Sequence, residues 1–180
     1  MNLGRLTTVP ALERPDLLAD PVRVALESFP RAAEVGVAEI DPGLADTAAF
    51  CAAYEIGLDA SANCVVVGGA RAGHERIGAC LVRADTRADV NRFVRKLLDV
   101  RSASFLPMDR AVAESGMEYG GITPVGLPAP WRLLLDSRVV GIPLAVIGSG
   151  LRRSKIVAPG ELLTALPNAE VHDALANPPD

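Results

Sequence analysis

A glycine-rich stretch in the second half of the chain is the first candidate for chemistry. Residues 116–128 read GMEYGGITPVGLP, with four glycines and two prolines. Adjacent glycines at 120 and 121 let the backbone adopt positive φ and let another molecule approach closely, and Pro124 fixes the chain that follows. Exposed N–H groups in such a loop can bind an oxyanion or a carboxylate. The stretch is therefore a candidate anion-binding loop, although an ordinary turn can have the same composition.

Cysteine and histidine give weaker signals. The three cysteines, Cys51, Cys64 and Cys80, lack C-x-x-C spacing, which predicts reduced thiols rather than a disulfide framework or a zinc site. Cys64 lies in an apolar run, where a cysteine is usually packed. His74 and His172 do not combine in sequence with a serine or cysteine in a triad pattern. We therefore expect neither a metal nor a cofactor.

The composition of the 180 residues predicts one globular domain spanning 1–180, with 49% hydrophobic residues. Aromatic residues make up only 4%, which disfavours a stacking platform for single-stranded nucleic acid. No apolar run reaches the roughly 18 residues that a membrane span needs. The start, MNLGRLTTVPALERPD, lacks the basic and apolar regions of a signal peptide. We expect a cytoplasmic protein without a membrane partner.

The net charge of −4 conceals an uneven distribution. Residues 1–62 carry ten acidic and four basic side chains, whereas residues 71–110 carry nine basic and five acidic ones. A basic segment on an acidic protein can contact a phosphate backbone locally. A solvated helix face has the same pattern, and it is the commoner explanation.

The hydrophobic pattern predicts an α+β fold with a mixed, strongly curved, barrel-like β-sheet and flanking helices. We expect one curved sheet with the Gly120–Gly121 loop at its mouth. Its strands are predicted at 63–69, 76–84, 131–136, 144–148 and 154–157. EVGVAEI, residues 34–40, alternates and indicates a further strand.

Helices are predicted between and before these strands. Asp20 is a plausible N-cap with Pro21 in the first turn, and Asp85 or Thr86 is expected to cap a helix that carries Val90 to Leu97. Further helices are predicted at 44–54, 107–116 and 158–166. We expect residues 1–46 to form an N-terminal helix and strand, and residues 172–180 to be a tail.

Three segments in order carry a resemblance to a known family. ESGMEYGGITPVG, then LLLDS, then LAVIGSGLRRSKIVAPGELL resemble the YbaK/ProX family of aminoacyl-tRNA editing domains, over residues 47–166. That family carries a G-Y-x-x-G-G-x-x-P-x-G loop, a strand ending in Asp, a small-residue turn and a final helix. The matching positions here are Gly116, Gly120, Gly121, Pro124, Gly126, Asp136 and the turn Gly148, Ser149, Gly150.

The resemblance implies that the protein hydrolyses the ester bond of mischarged aminoacyl-tRNA, beside an aminoacyl-tRNA synthetase as a possible partner. Backbone donors of the loop would stabilise the tetrahedral oxyanion without a protein nucleophile. The resemblance gives Gly120, Gly121 and Asn63 as catalytic residues. It gives a second set as substrate-binding residues, namely Ile122, Thr123, Pro124, Asp136, Gly148, Ser149 and Gly150. Asp136 is equally well explained as a structural acid at the end of a strand.

One position departs from the family pattern. The family has a lysine at the start of the strand that here reads SANCVVVGG, and the matching residue is Asn63. An asparagine offers only a neutral donor, and a charge-assisted hydrogen bond is roughly twice as strong. Lys155 and Arg152 are candidates for the missing charge, or plain surface cations. Two other functions stay open: a non-catalytic paralogue that binds an aminoacyl group, an amino acid or tRNA, and a hydrolase of other small esters.

Overall fold

The structure is a computed structural model, and it describes residues 2–179. Within that range the strands are β1 (Asn2–Leu3), β2 (Leu6–Thr7), β3 (Val9–Pro10), β4 (Gly36–Glu39), β5 (Ala62–Arg71), β6 (His74–Arg83), β7 (Arg87–Ala88), β8 (Ala103–Phe105), β9 (Arg132–Asp136), β10 (Ala145–Gly148), β11 (Ser154–Ala158), β12 (Ala169–His172) and β13 (Ala176–Asn177).

The helices are mostly short and lie between these strands. The α-helices are α1 (Asp20–Glu27), α2 (Thr47–Tyr54), α3 (Arg95–Leu97), α4 (Met108–Ser115) and α5 (Ser137–Val140), and a π-helical turn (Val90–Val94) leads into α3. The 3₁₀ turns are Ala11–Glu13, Pro15–Leu17, Ala32–Glu34, Pro42–Leu44, Leu58–Ala60 and Gly160–Ala165. The α+β class is confirmed.

The strands form two main sheets rather than one. The five-stranded sheet has the order β12-β9-β6-β5-β8, and the four-stranded sheet has the order β10-β11-β4-β3. A single isolated bridge, between Ser61 and Val146, joins them within residues 2–179. The five predicted strands are confirmed, but the prediction of one curved sheet is wrong, and the described strands do not close into a barrel.

The centre of the five-stranded sheet is a long hairpin next to a buried strand. β5 and β6 pair over ten residues around a turn at Ala72 and Gly73, both with positive φ. β9 runs parallel to β6 on one side and to β12 on the other. Its Leu133, Leu134 and Leu135 are all buried, as expected for a strand covered on both faces. Among residues 2–179, no helix combines the length and apolar character required to cross a membrane.

Several predicted boundaries shift. The first helix begins at Asp20, so Ala19 and not Asp20 is its N-cap. The helix after β6 is capped by the Asp89 carboxylate, which accepts from the Arg92 N–H, because residues 87 and 88 first form β7. The predicted helix at 158–166 is a 3₁₀ turn. The predicted tail contains the end of β12 and all of β13, which pairs with β7, while Asp180 lies outside the described residues.

Candidate active site

A cavity of about 600 Å³ opens where the two sheets meet. On β5, partner strand β8 pairs only with residues 67–69, and the bridge to β10 is at Ser61. The edge of β5 between them is therefore left open, and it forms one wall of the cavity. The lining comes from both sheets, α2, α4 and the glycine-rich loop: Ala45, Asp46, Thr47, Ala62, Asn63, Cys64, Val65, Val66, Phe105, Leu106, Met108, Ala111, Tyr119, Gly120, Ile122, Gly148, Arg152 and Lys155.

The glycine-rich loop is fixed to the turn after β10 by backbone contacts. The Gly150 N–H donates to the Gly121 carbonyl at 2.8 Å, and the Glu118 N–H donates to the Gly150 carbonyl at 2.8 Å. A Cβ on Gly148 would lie 2.3 Å from the Gly121 oxygen, which leaves no room for a side chain there. The glycine-rich loop and the turn at 148–150 are therefore in contact. That contact requires a glycine at position 148.

The two central glycines of the loop have different roles. Gly120 has φ +80° and is exposed at the cavity, and its N–H makes no hydrogen bond within residues 2–179. The Gly121 N–H already donates to the Glu118 carbonyl at 2.9 Å, and Gly121 is buried against the Leu151 backbone. The prediction of two free donors is therefore wrong at Gly121, whose N–H closes the turn. Gly120 keeps a free donor.

Asn63 lies at the start of β5 and lines the cavity. Its Oδ1 accepts a hydrogen bond from the Thr47 Oγ1 at 2.7 Å, which fixes the orientation of the amide. Thr47 is the first residue of α2, and the Asp46 Oδ1 caps that helix by accepting from the Ala48 and Ala49 N–H groups, each at 3.1 Å. The Asn63 amide nitrogen is left free to donate into the cavity.

Lys155 is the cation of this cavity. Lys155 is only 8% exposed and lines the cavity. It lies on β11, where its strand partner is Gly148 of β10. The Nζ lies 5.2 Å from the centroid of the Phe50 ring, within the range of a cation–π contact. Among residues 2–179 it makes neither a hydrogen bond nor an ion pair. Because Gly148 has no side chain, the backbone of the glycine-rich loop packs directly against it.

The surroundings of Lys155 shift the pKa of its amine. Burial lowers the pKa of the Lys155 amine below its ordinary value, and the neighbouring Arg152 lowers it further. Cys51 and Asp46 act in the opposite direction. A buried cation without a partner is costly, so an anion that entered the cavity would be bound by Lys155 with little competition from protein groups.

The sequence offered Lys155 and Arg152 as two candidates to replace the charge of the family lysine. It did not predict that Lys155 would be buried in the site. The chain has two lysines, Lys96 and Lys155. The sequence did contain a signal for this position. SKIVA has the pattern of a buried strand, and a lysine is unusual in such a strand. Arg152, the other candidate, also lines the cavity, and its Nη1 donates to the Tyr119 carbonyl at 3.1 Å.

Asp136 has a structural role in this structure. It is fully buried and does not line the cavity. Its Oδ1 accepts from the Arg138 N–H at 3.0 Å and caps α5, and both oxygens bind the Arg138 guanidinium. Its Oδ2 also accepts from the Ala176 N–H at 3.1 Å. Both oxygens of the carboxylate are therefore occupied by protein groups. Of the two roles that the sequence allowed for Asp136, structural acid or substrate-binding residue, this geometry fits the structural one.

The remaining predicted substrate-binding residues divide between the cavity and its support. Ile122 lines the cavity. Thr123 is completely buried, and its Oγ1 makes no hydrogen bond within the described residues. The Ser149 Oγ lies 2.7 Å from the Ser154 Oγ. Gly150 has φ +84°, and a Cβ there would lie 2.4 Å from that of Ala19. Thr123, Ser149, Gly150 and the buried Pro124 lie behind the cavity wall.

The other chemical candidates contribute no activated group. Cys64 lines the cavity, but burial raises the pKa of its thiol well above the ordinary value. His74 and His172 do not line the cavity. Within residues 2–179 no cluster of three or more His, Cys, Asp or Glu side chains could hold a metal ion. The site consists of neutral donors, one buried lysine, one arginine and the Asp46 carboxylate.

A family profile and several solved structures match this chain. The sequence profile of the aminoacyl-tRNA editing domain matches residues 41–166. A solved structure described as a candidate trans-editing enzyme for prolyl tRNA synthetase matches with a TM-score of 0.73 and 22% identity, covering 86% of this chain and 94% of that one. The hypothetical protein APE2540 matches with a TM-score of 0.76 and 16% identity, covering 88% and 100%.

A third match is to part of a longer protein. A candidate signal transduction protein from Marinobacter aquaeolei VT8 matches with a TM-score of 0.53 and 19% identity, covering 87% of this chain and 30% of that one. At these identities the structural matches establish the fold alone. No curated protein matches the sequence.

Proposed function

The chain belongs to the aminoacyl-tRNA editing domain family, and from this membership we propose that it hydrolyses the ester bond between a mischarged amino acid and its tRNA. One of its structural relatives is described as a candidate trans-editing enzyme for prolyl tRNA synthetase. By analogy, this chain acts in trans, on aminoacyl-tRNA that a synthetase has already released. We place it in the cytoplasm, where translation supplies that substrate.

The observation that carries this proposal is the unpaired Lys155 in the cavity. Ester hydrolysis passes through a tetrahedral oxyanion, and donors positioned for that charge accelerate the reaction. Lys155 offers a charged donor and Gly120 a free backbone N–H at the same cavity. Asn63 on β5 cannot provide the positive charge of the family lysine. Lys155 on β11 provides that charge to the same cavity from a different position in the sequence.

Asp46 is the proposed acceptor for the proton of the attacking water. Its Oδ1 is occupied by the two N–H groups at the start of α2. Its Oδ2 makes no hydrogen bond within residues 2–179, and the residue lines the cavity. A carboxylate with one fixed and one free oxygen can orient a water and accept its proton. The neutral Cys64 thiol is a poor nucleophile, which favours direct attack by water.

Asn63 positions the substrate in this mechanism. Because Thr47 fixes the Asn63 carbonyl oxygen, the amide N–H₂ points to one part of the cavity and can hold the aminoacyl group there. Small apolar side chains line the same space, with Ala45, Val66 and Ala111 among them. We propose that a small amino-acid side chain occupies this part of the cavity.

The alternative is a protein that binds the aminoacyl group without turnover. The deciding experiment is single-turnover deacylation of a panel of mischarged tRNAs, comparing the wild type with Lys155→Met. Loss of one donor to an oxyanion costs on the order of 100- to 1000-fold in rate, and we expect that reduction with little change in tRNA affinity. Arg5→Met removes an exposed cation that pairs with Glu55 and should leave the rate unchanged.

The variant Asn63→Lys further distinguishes a deacylase from a protein that binds the aminoacyl group without turnover. If the protein is an enzyme that uses Lys155, a second cation in the cavity should repel the first and give no increase in rate. If it is a binding protein that lost activity with its lysine, the wild type should be inactive and Asn63→Lys should create activity. An inactive wild type across the whole panel that still binds aminoacyl-tRNA would reject the deacylase proposal.

A further inference from the structure

Three exposed apolar side chains surround the mouth of the cavity. Phe105 is 63% exposed, Tyr119 60% and Met108 56%, and all three line the cavity. They are the three most exposed large hydrophobic side chains within residues 2–179. They come from separate elements, namely the end of β8, the start of α4 and the glycine-rich loop. We call these three residues the apolar rim.

The apolar rim contains both exposed aromatic residues of the described chain. The other five aromatic side chains are buried or half-buried. The low aromatic content predicted that there would be no stacking platform, but the structure places its two exposed rings at one site. Clustered exposed apolar groups usually mark a binding surface, and aromatic rings with a methionine offer flat, polarizable contacts.

A positive charge lies beside the apolar rim. The Arg152 guanidinium lines the same cavity and donates to two carbonyl oxygens, those of Tyr119 at 3.1 Å and Pro42 at 3.4 Å. Within residues 2–179 no carboxylate pairs with that guanidinium. Flat apolar groups next to an arginine without an acidic partner complement a ligand that joins an aromatic base to a phosphate.

We propose that Phe105, Met108 and Tyr119 form a subsite for the base of the terminal nucleoside of aminoacyl-tRNA, with Arg152 binding a phosphate. The inference rests on the proposed function, because an ester held beside Gly120 and Lys155 is attached to the ribose of that nucleoside. The base must then leave the cavity through its mouth. Stacking on the apolar rim would bind this common part of every tRNA, while the cavity itself selects the amino acid.

The subsite is tested with AMP and with ribose 5-phosphate, which lacks the base. Binding of both to the wild type is measured by calorimetry or NMR titration, without any ester. Stacking of one base on an aromatic side chain corresponds to about 5- to 150-fold in affinity. We therefore expect AMP to bind more tightly than ribose 5-phosphate by a factor in this range. Phe105→Ala and Tyr119→Ala should each reduce that preference, whereas Arg152→Gln should weaken both ligands.

Val24→Ala is the matched control, because Val24 is 55% exposed on α1 and does not line the cavity. It should bind AMP like the wild type. Equal affinity of the wild type for the two ligands would overturn the subsite. So would rim variants that convert a dimer to a monomer in sedimentation but bind AMP normally, since the rim would then be a contact between copies.

The two proposals fail in different ways. A wild type that prefers AMP but hydrolyses no mischarged tRNA keeps the subsite and loses the deacylase function. A wild type that hydrolyses mischarged tRNA with no preference for AMP keeps the function and loses the subsite.

Discussion

Positive charge is organised differently in the cavity and in the arginine-rich segment at 71–110. Within residues 2–179, four of the nine basic side chains of that segment bind carboxylates: Arg71 and Arg76 bind Asp99, Arg83 binds Asp85, and Arg110 binds Glu75 and Glu114. In the cavity, Lys155 is buried and has no such partner among residues 2–179. The segment is conspicuous in the sequence, but four of its nine bases are paired with acids at its surface, and exposed pairs of this kind contribute little energy.

The position of the segment strengthens this contrast. Arg92, Arg95 and Lys96 have no carboxylate partner within the described residues, but they lie on the turn and helix that cover one face of β5 and β6. That face carries Val67, Cys80 and Val82, which pack with Val94 and Leu98 of the segment. A buried lysine without an acidic partner inside a cavity is therefore a stronger indication of function than nine basic residues spread over a segment of forty.

The largest effect that would sharpen this comparison is expected at Asp46, the acid of the cavity. Asp46→Asn keeps an oxygen that can cap α2 but removes the charge, so the fold should be retained. Loss of a general base reduces rates by about 100- to 10,000-fold, and we expect a reduction of that order in single-turnover deacylation. Asp99→Asn, which breaks ion pairs of the arginine-rich segment, is the control. A rate unchanged in Asp46→Asn would remove Asp46 from the mechanism.

The pH dependence of Lys155 gives the next largest effect. Because the folded pKa is lowered, the amine loses its proton at a lower pH than in the unfolded chain. Activity that needs the cation should fall about tenfold per pH unit above that pKa. Between the lowered pKa and 10.5 the unfolded state binds more protons at Lys155, so the contribution of this residue to stability should rise with pH. The raised pKa of the Cys51, Cys64 and Cys80 thiols acts in the opposite direction at alkaline pH.

Activity and the Lys155 contribution to stability, taken as the difference between the wild type and Lys155→Met, should therefore change in opposite directions as the pH rises. The measurements are the deacylation rate, corrected for spontaneous alkaline hydrolysis, and urea unfolding at each pH. Lys155→Arg should keep its charge and extend the active range upward. A rate and a wild-type minus Lys155→Met difference in stability that both fall as the pH rises would contradict a catalytic cation at this position.

The smallest effect is expected from the unpaired bases of the arginine-rich segment. Changing Arg92, Arg95 and Lys96 together to Glu should weaken tRNA binding only severalfold at low salt and flatten its salt dependence. Each phosphate contact that is lost reduces the salt slope by about one. If this triple variant lost as much binding as Lys155→Met loses in rate, the arginine-rich segment would be as important to function as the cavity. No change at any salt concentration would leave the segment as a solvated surface.

The sequence was informative where structure is local. The β5–β6 hairpin, the helix before Gly116 and the loop with its positive-φ glycines follow from neighbouring residues. The split into two sheets does not, because it depends on β11 pairing with β4 more than a hundred residues away. The parallel partner β12 was missed for the same reason, since AEVH has no strong strand pattern and is held in place by β9.

The site divides in the same way. The loop and the turn at 148–150 were identified from local glycine patterns. The Gly121 N–H and the Asp136 carboxylate are bound mainly by near neighbours, Glu118 and Arg138. The position of Lys155 and Asn63 at one cavity depends on distant segments of the chain. Positions in a sequence motif could show that the lysine was absent from residue 63, but only the fold places another lysine at the same cavity.

The seam between the two sheets has a mechanical consequence. Asn63 belongs to one sheet and Lys155 to the other, and within the described chain one backbone bridge, Ser61–Val146, joins the sheets. An aminoacyl ester that contacts both residues acts as a cross-link, and its binding energy adds to the work of separating the sheets. Hydrolysis divides that cross-link into two molecules. Substrate should therefore tighten the seam, measurable as slower amide exchange around residues 61–66, and the reaction itself should loosen it and release its products.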